Sequence, residues 1–110
     1  MQRKVYISGP MTGVPDYKEK FNAVAAELEE KGHTVLNPAL LPKGLHYSEY
    51  FPICLAMLEA AETVLMLPGW GKSNGACLEY QYARTVGKQI EYRGDSKNEK
   101  PKRDLRGINW

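Results

Sequence analysis

Four short runs of β-branched, aromatic and aliphatic residues punctuate the chain: "RKVYIS" (residues 3–8), "HTVLN" (33–37), "TVLML" (63–67) and "QIEY" (89–92). The segments between them change period. Phe21, Val24, Ala25 and Leu28 recur at helical spacing, as do Tyr50, Ile53, Cys54, Met57, Leu58 and Ala61, which is the signature of amphipathic helices. Strand-like and helix-like stretches in strict alternation predict the order β-α-β-α-β-α-β. Parallel strands need a crossover of a dozen or more residues, so this order implies an α/β domain with a parallel sheet and helices on both faces. The uninterrupted apolar run at 63–67 suits a central strand covered on both sides.

The punctuation agrees. The first strand stops at Gly9-Pro10, a turn signal. Asp16 with Glu19 three residues on reads as a capping box, and Gly32 as the stop of the first helix. Asn37-Pro38 closes the second strand, and Ser48 is the expected cap of the second helix. Pro52 then falls in or just inside the first turn, where proline costs least. The third helix is expected from about residue 75 to 86, ending at Gly87.

A chain of 110 residues makes one domain with a modest core. Its charge is unevenly spread. Six of the fifteen Lys/Arg and three of the thirteen Asp/Glu fall in residues 93–110, leaving nine basic and ten acidic groups in residues 1–92. The organisation expected is therefore a near-neutral body, 1–92, and a basic tail, 93–110, read as solvated or subunit-contacting, with a nucleic-acid-binding tail as the weaker alternative. No apolar run approaches the ~20 residues of a membrane span, and the first residues run directly into a strand pattern instead of a leader. A cytoplasmic protein without membrane contact is expected. Cys54 and Cys77 form no CxxC and make no zinc spacing with His33 and His46, so reduced thiols and no metal or cofactor are expected.

Open parallel sheets bind ligands beyond the carboxyl ends of their strands. Those ends carry "SGPMTG", "NPALLP" and "PGWGKSNG". The last is not a P-loop, since Lys72 and Ser73 precede Gly75, and no GxGxxG follows the first strand. It still offers backbone N–H groups and the Ser73 hydroxyl at a helix N-terminus, where a phosphate is stabilised, although Ser73 serves equally as the helix cap. Glu79 is either an acidic residue favoured early in a helix by the macrodipole or a carboxylate kept ionised beside a ligand loop. In the first loop Gly9 and Gly13 permit close approach and Thr12 adds a hydroxyl. Tyr6 either aims its phenol into the site or packs in the core. A ligand between residues 9–13 and 69–75 requires the first and third strands to be neighbours.

The stretches "VYISGPMTG", "GHTVLNP" and "VLMLPGWGKSNGACLE" together resemble the nucleoside 2-deoxyribosyltransferase-like family over nearly all of residues 4–90, closest to a phage-associated branch. The resemblance implies a flavodoxin-like (Rossmann-like) three-layer sandwich with a small parallel sheet. It also implies cleavage or transfer at the N-glycosidic bond of a 2′-deoxynucleoside or its 5′-monophosphate. Glu79, in the Ser-x-Gly-x-x-x-Glu element of Ser73, Gly75 and Glu79, matches the nucleophile that attacks the anomeric carbon and forms a glycosyl-enzyme. Tyr6 matches a tyrosine beside it. The substrate-binding set carried over is Gly9, Met11, Thr12, Gly13, Asn37, Gly69, Trp70, Ser73 and Gly75. Lys72 and the glycines favour a phosphate at the 5′ position. Cys54 stands where family enzymes carry the aspartate that handles the base's proton, and Glu62 where another is common. A thiol is a weak hydrogen-bond partner, so Glu62 or water is expected to act as the acid. Family sites are commonly completed by a second subunit. A homodimer or larger assembly is thus implied, with Trp70, Tyr80 and Tyr82 as exposed aromatics for the interface. The alternative is a nucleotide-binding module with little or no catalysis.

Overall fold

The computed structural model describes residues 2–102. The elements are β1 (Lys4–Ser8), α1 (Tyr17–Glu30), β2 (Thr34–Leu36), α2 (Tyr47–Ala60), β3 (Thr63–Met66), α3 (Asn74–Thr85) and β4 (Gln89–Tyr92), with 3₁₀ turns at Pro38–Leu40, Trp70–Lys72 and Gly94–Asn98. All four strands are parallel in one sheet of order β2-β1-β3-β4. The expected α/β three-layer sandwich is the observed one.

Strand parity divides the core between the two faces. Val5, Ile7, Leu65 and Leu67 pack with Phe21, Val24 and Ala25 of α1. Tyr6, Val64 and Met66 point the other way, onto Cys54 and Leu58 of α2 and Ala76, Cys77 and Ala83 of α3. All four residues of β3 are buried, as a strand covered on both faces must be. β1 and β3 are adjacent in the register Tyr6 to Val64 and Ser8 to Met66, so the loops leaving them emerge side by side. A Cβ on Gly9 would sit 2.9 Å from Cβ of Leu67, closer than real side chains approach, so only glycine lets the two exits run this close. Among the described residues no helix is long and apolar enough to cross a membrane.

Several local expectations are corrected. Asp16 precedes α1 but makes no capping hydrogen bond; its carboxylate lies 3.7 Å from the Lys20 ammonium instead. α2 starts earlier than Ser48 suggests. His46 is its N-cap, and the His46 N–H donates to Glu49 Oε1 at 2.7 Å. Pro52 thereby becomes the sixth residue of the helix, inside it rather than in its first turn, and cannot donate to the preceding turn.

The basic segment also differs from a tail as far as it is described. Ser96 is fully buried. Its Oγ donates to the Met66 carbonyl at 3.0 Å, and its own carbonyl accepts from Trp70 Nε1 at 2.9 Å. Glu99 Oε2 and Oε1 accept the Gly69 and Gly71 amides at 2.7 and 2.9 Å, and the Lys102 amide donates to the Gly71 carbonyl at 2.9 Å. Residues 94–102 therefore form a strap across the glycine-rich loop, and the body continues past the boundary expected at residue 92. Gly71 permits this contact, since a Cβ there would lie 2.5 Å from the Lys100 carbonyl oxygen. Arg103, Asp104 and Arg106 lie outside the described residues.

Candidate active site

Residues two apart in a strand share a face, so Tyr6 and Ser8 project together from the carboxyl end of β1. Both hydroxyls donate to one carboxylate: Tyr6 Oη to Glu79 Oε2 at 2.8 Å and Ser8 Oγ to Glu79 Oε1 at 2.7 Å. Glu79 reaches them from α3, whose first turn is fixed by Ser73, with the Ala76 N–H donating to Ser73 Oγ at 3.2 Å. Glu79 is 6% exposed. Each of its oxygens has a further lone pair beyond the one each hydroxyl uses, and the residue lines an open cleft.

The protonation state departs from the expectation that a helix N-terminus keeps Glu79 ionised. Glu79 is the sixth residue of α3, and the macrodipole falls off within the first turn. Burial dominates: it pushes the carboxyl up to about 7, against the downward pull of the Ser8 and Tyr6 hydroxyls. The same burial, reinforced by the neighbouring Glu79 charge, holds the Tyr6 phenol well above its ordinary value and pushes the Cys54 thiol up to about 11. At neutral pH Cys54 is a protonated thiol and Glu79 is divided between its two forms.

The cleft holds about 190 Å³. It is lined by the buried side chains of Glu79, Tyr6 and Cys54, by Met11 and Thr12 of the first loop, and by Ser73 and Gly75 at the start of α3. The remaining side is aromatic. Tyr47 and Phe51, one turn apart on α2, stack with centroids 5.9 Å apart and planes at 21°, and Tyr50, Tyr17 and Phe21 add further rings to the lining. Tyr47 is 52% exposed at the rim. A carboxylate in a slot lined by flat rings suits a planar heterocycle attached to a polar, reactive centre.

Of the residues singled out from sequence, Tyr6, Gly9, Met11, Thr12, Ser73, Gly75 and Glu79 come together here. Five do not line this cleft. Glu62 precedes β3 at the amino end of the sheet, the end opposite the cleft, where its carboxylate accepts the Lys4 amide at 2.9 Å. It cannot serve as the acid partner of Glu79. Asn37 is buried; it accepts the Ala39 amide at 3.0 Å and donates to Asn22 at 2.9 Å, capping the 3₁₀ turn while its neighbour Pro38 faces the cleft. Trp70 is fully buried, packed on Tyr80 with centroids 4.5 Å apart. It is core, neither a ligand contact nor an exposed interface aromatic. The Gly69 amide is taken by Glu99, and Gly13 is absent from the cleft wall. Sequence reading passed over Ser8, although its parity with Tyr6 placed it on the same face, and Tyr47 and Phe51, whose i, i+4 spacing pointed to a stacked pair.

Residues 3–92 match the family model described as "Domain of unknown function (DUF4406)". The chain belongs to that family. Among solved structures, the 2-desoxiribosyltransferase from Leishmania mexicana is similar to this DUF4406 chain with a TM-score of 0.67 at 21% sequence identity. The likeness covers 82% of this chain and 63% of that one, so the chain spans less than two thirds of that enzyme's length. At such identity the likeness concerns the fold, which is the flavodoxin-like three-layer arrangement. No curated protein matches the sequence significantly.

Proposed function

We propose that the chain cleaves or transfers the N-glycosidic bond of a 2′-deoxynucleoside or its 5′-monophosphate, with Glu79 as the nucleophile. The observation that carries this reading is the Glu79 carboxylate, buried, steadied by Tyr6 and Ser8, and opening onto an aromatic slot. The fold shared with a 2-desoxiribosyltransferase supports it. In the step envisaged, an ionised Glu79 oxygen bonds to C1′ as the C1′–N bond breaks. Its electron pair leaves with the base nitrogen, which takes a proton from solvent. Water then attacks the glycosyl ester and regenerates the carboxylate, or a second base does so and is glycosylated. Tyr6 and Ser8 orient the carboxylate and spread its charge. With the carboxyl at about 7, the reactive form grows as pH rises through neutrality.

A homo-oligomer belongs to the same proposal. Its apolar surface now comes from Tyr47 and Ile53, 52% and 40% exposed on α2, rather than from Trp70. Sedimentation showing a monomer at tens of micromolar would remove this part.

The second reading, a nucleotide-binding module with little catalysis, is favoured by Cys54. A thiol pushed up to about 11 is a poor proton donor to a leaving base. Incubating the protein with a panel of deoxynucleosides and their 5′-monophosphates, while monitoring free base, separates the two. Base release that disappears in Glu79→Gln supports the glycosidase reading. Saturable binding without release from any member supports the module.

A further inference from the structure

A groove of about 670 Å³ opens beside the cleft and shares Thr12, Tyr47, Ser73 and Gly75 with it. The part it does not share is lined by Pro10, Val14, Gly69, Lys72, Asn74 and Lys102. Among the described lining residues none is acidic, and both lysines are exposed. They arrive from separate parts of the chain: Lys72 from the 3₁₀ turn after β3, Lys102 from the strap, where its amide is fixed to the Gly71 carbonyl. Cleft and groove thus form one continuous depression, with Glu79 and the stacked rings in one lobe and two cations in the other.

Resting on the nucleotide reading above, we infer that the groove holds a 5′-linked chain of two or more phosphates, so that deoxynucleoside 5′-di- and triphosphates bind better than the monophosphate. Lys72 and Lys102 are the residues that discriminate. A first phosphate beside the shared wall of Ser73 and Gly75 lies between the two lobes, and only further phosphates extend into the lysine-lined part. Two of the loop's donors are already engaged, because the Gly69 and Gly71 amides are bound by Glu99. The full positive charges in the unshared part are Lys72 and Lys102, so discrimination by phosphate charge falls to them. A second nucleoside on a phosphodiester would fit less well, since it needs a stacking platform of its own. Among the described lining residues the one ring is Tyr47, which is shared with the cleft and stacked on Phe51.

The test is titration calorimetry on full-length Glu79→Gln, which blocks turnover, in low salt with EDTA. The ligands are a deoxynucleoside, its 5′-mono-, di- and triphosphates, and a 5′-phosphorylated dinucleotide. Two exposed ion pairs are individually weak, so the expected preference for diphosphate over monophosphate is about tenfold, shrinking as salt is added. In the Lys72→Gln/Lys102→Gln background that ratio should fall to about one, and Lys72→Arg/Lys102→Arg should keep it. Equal affinities for mono- and diphosphate, a preference that survives the glutamine pair, or tightest binding of the dinucleotide would each overturn the inference. Base release by the wild type is followed separately. A diphosphate preference without any release would sink the glycosidase reading while upholding the groove.

Discussion

Replacing Glu79 by glutamine should make the protein more stable at pH 8, although it removes the proposed nucleophile. The unfolded carboxyl titrates near 4.5 and the folded one near 7, so between those values the native state holds a proton that the unfolded state has released. Stability from this group is complete below about 4.5, falls as pH rises through the window, and is lost above about 7. The folded ionised carboxylate therefore costs about 3 kcal/mol at pH 8 relative to acid. Glutamine is nearly isosteric and carries no charge. Its carbonyl accepts one hydroxyl, and its amide donates to the other once that hydroxyl turns, with a residual mismatch of about 1 kcal/mol. The expected difference is thus a variant about 2 kcal/mol more stable at pH 8 and about 1 kcal/mol less stable at pH 4. Urea unfolding of both proteins from pH 4 to 8 measures it, and groups common to both cancel in the difference. A stability difference that stays constant across that range would refute the claim that burial controls Glu79.

Removing a hydroxyl donor in Ser8→Ala should raise the Glu79 carboxyl further and move the midpoint of the pH–rate profile for base release about one unit alkaline; an unmoved midpoint would exclude Glu79 as the titrating group. Gly71→Ala should drive the strap off the loop, because the new Cβ meets the Lys100 carbonyl at 2.5 Å. The loss expected is about 1–3 kcal/mol, seen as a lowered thermal midpoint, and an unchanged midpoint would contradict the packing of residues 99–102. Cys54→Asp should increase base release by about 10²–10⁴-fold by supplying a proton-handling group. A second carboxyl beside Glu79 couples to it and raises the second ionisation of the pair, so the gain should peak where the pair holds one proton and fall once both carboxyls are ionised. No gain at any pH would argue that proton transfer to the base does not limit the reaction.

The features legible in the sequence were those set by local period and by strand ends. Alternating runs specified a parallel sheet, and "TVLML" marked the strand buried on both faces. The adjacency of β1 and β3 brought Tyr6 and Glu79, 73 residues apart, into one hydrogen bond at the expected edge. What was not legible depends on contacts between distant residues. Ser96 and Glu99 sit in a stretch whose composition resembles a solvated tail, yet they satisfy the Trp70 indole and two loop amides. Trp70 sits in a glycine-rich loop, and the Ser96 carbonyl that satisfies its buried indole is 26 residues away. Glu62 is a caution of another kind, since a position matched by resemblance lies at the amino end of β3, facing Lys4. The Asp16 and Ser48 caps failed because competing partners, Lys20 and the His46–Glu49 pair, were equally local.

The central claim is that an ionised Glu79 forms a bond to C1′. Its most direct measurement is mass spectrometry of the protein mixed with deoxynucleosides or their 5′-phosphates at pH 8 and quenched in acid, followed by peptide mapping. Expected is a mass increase of one deoxyribosyl or phosphodeoxyribosyl group on the peptide containing Glu79, absent from Glu79→Gln and accompanied by one equivalent of free base. Base released without any adduct, or an adduct on another residue that persists in Glu79→Gln, would contradict the claim.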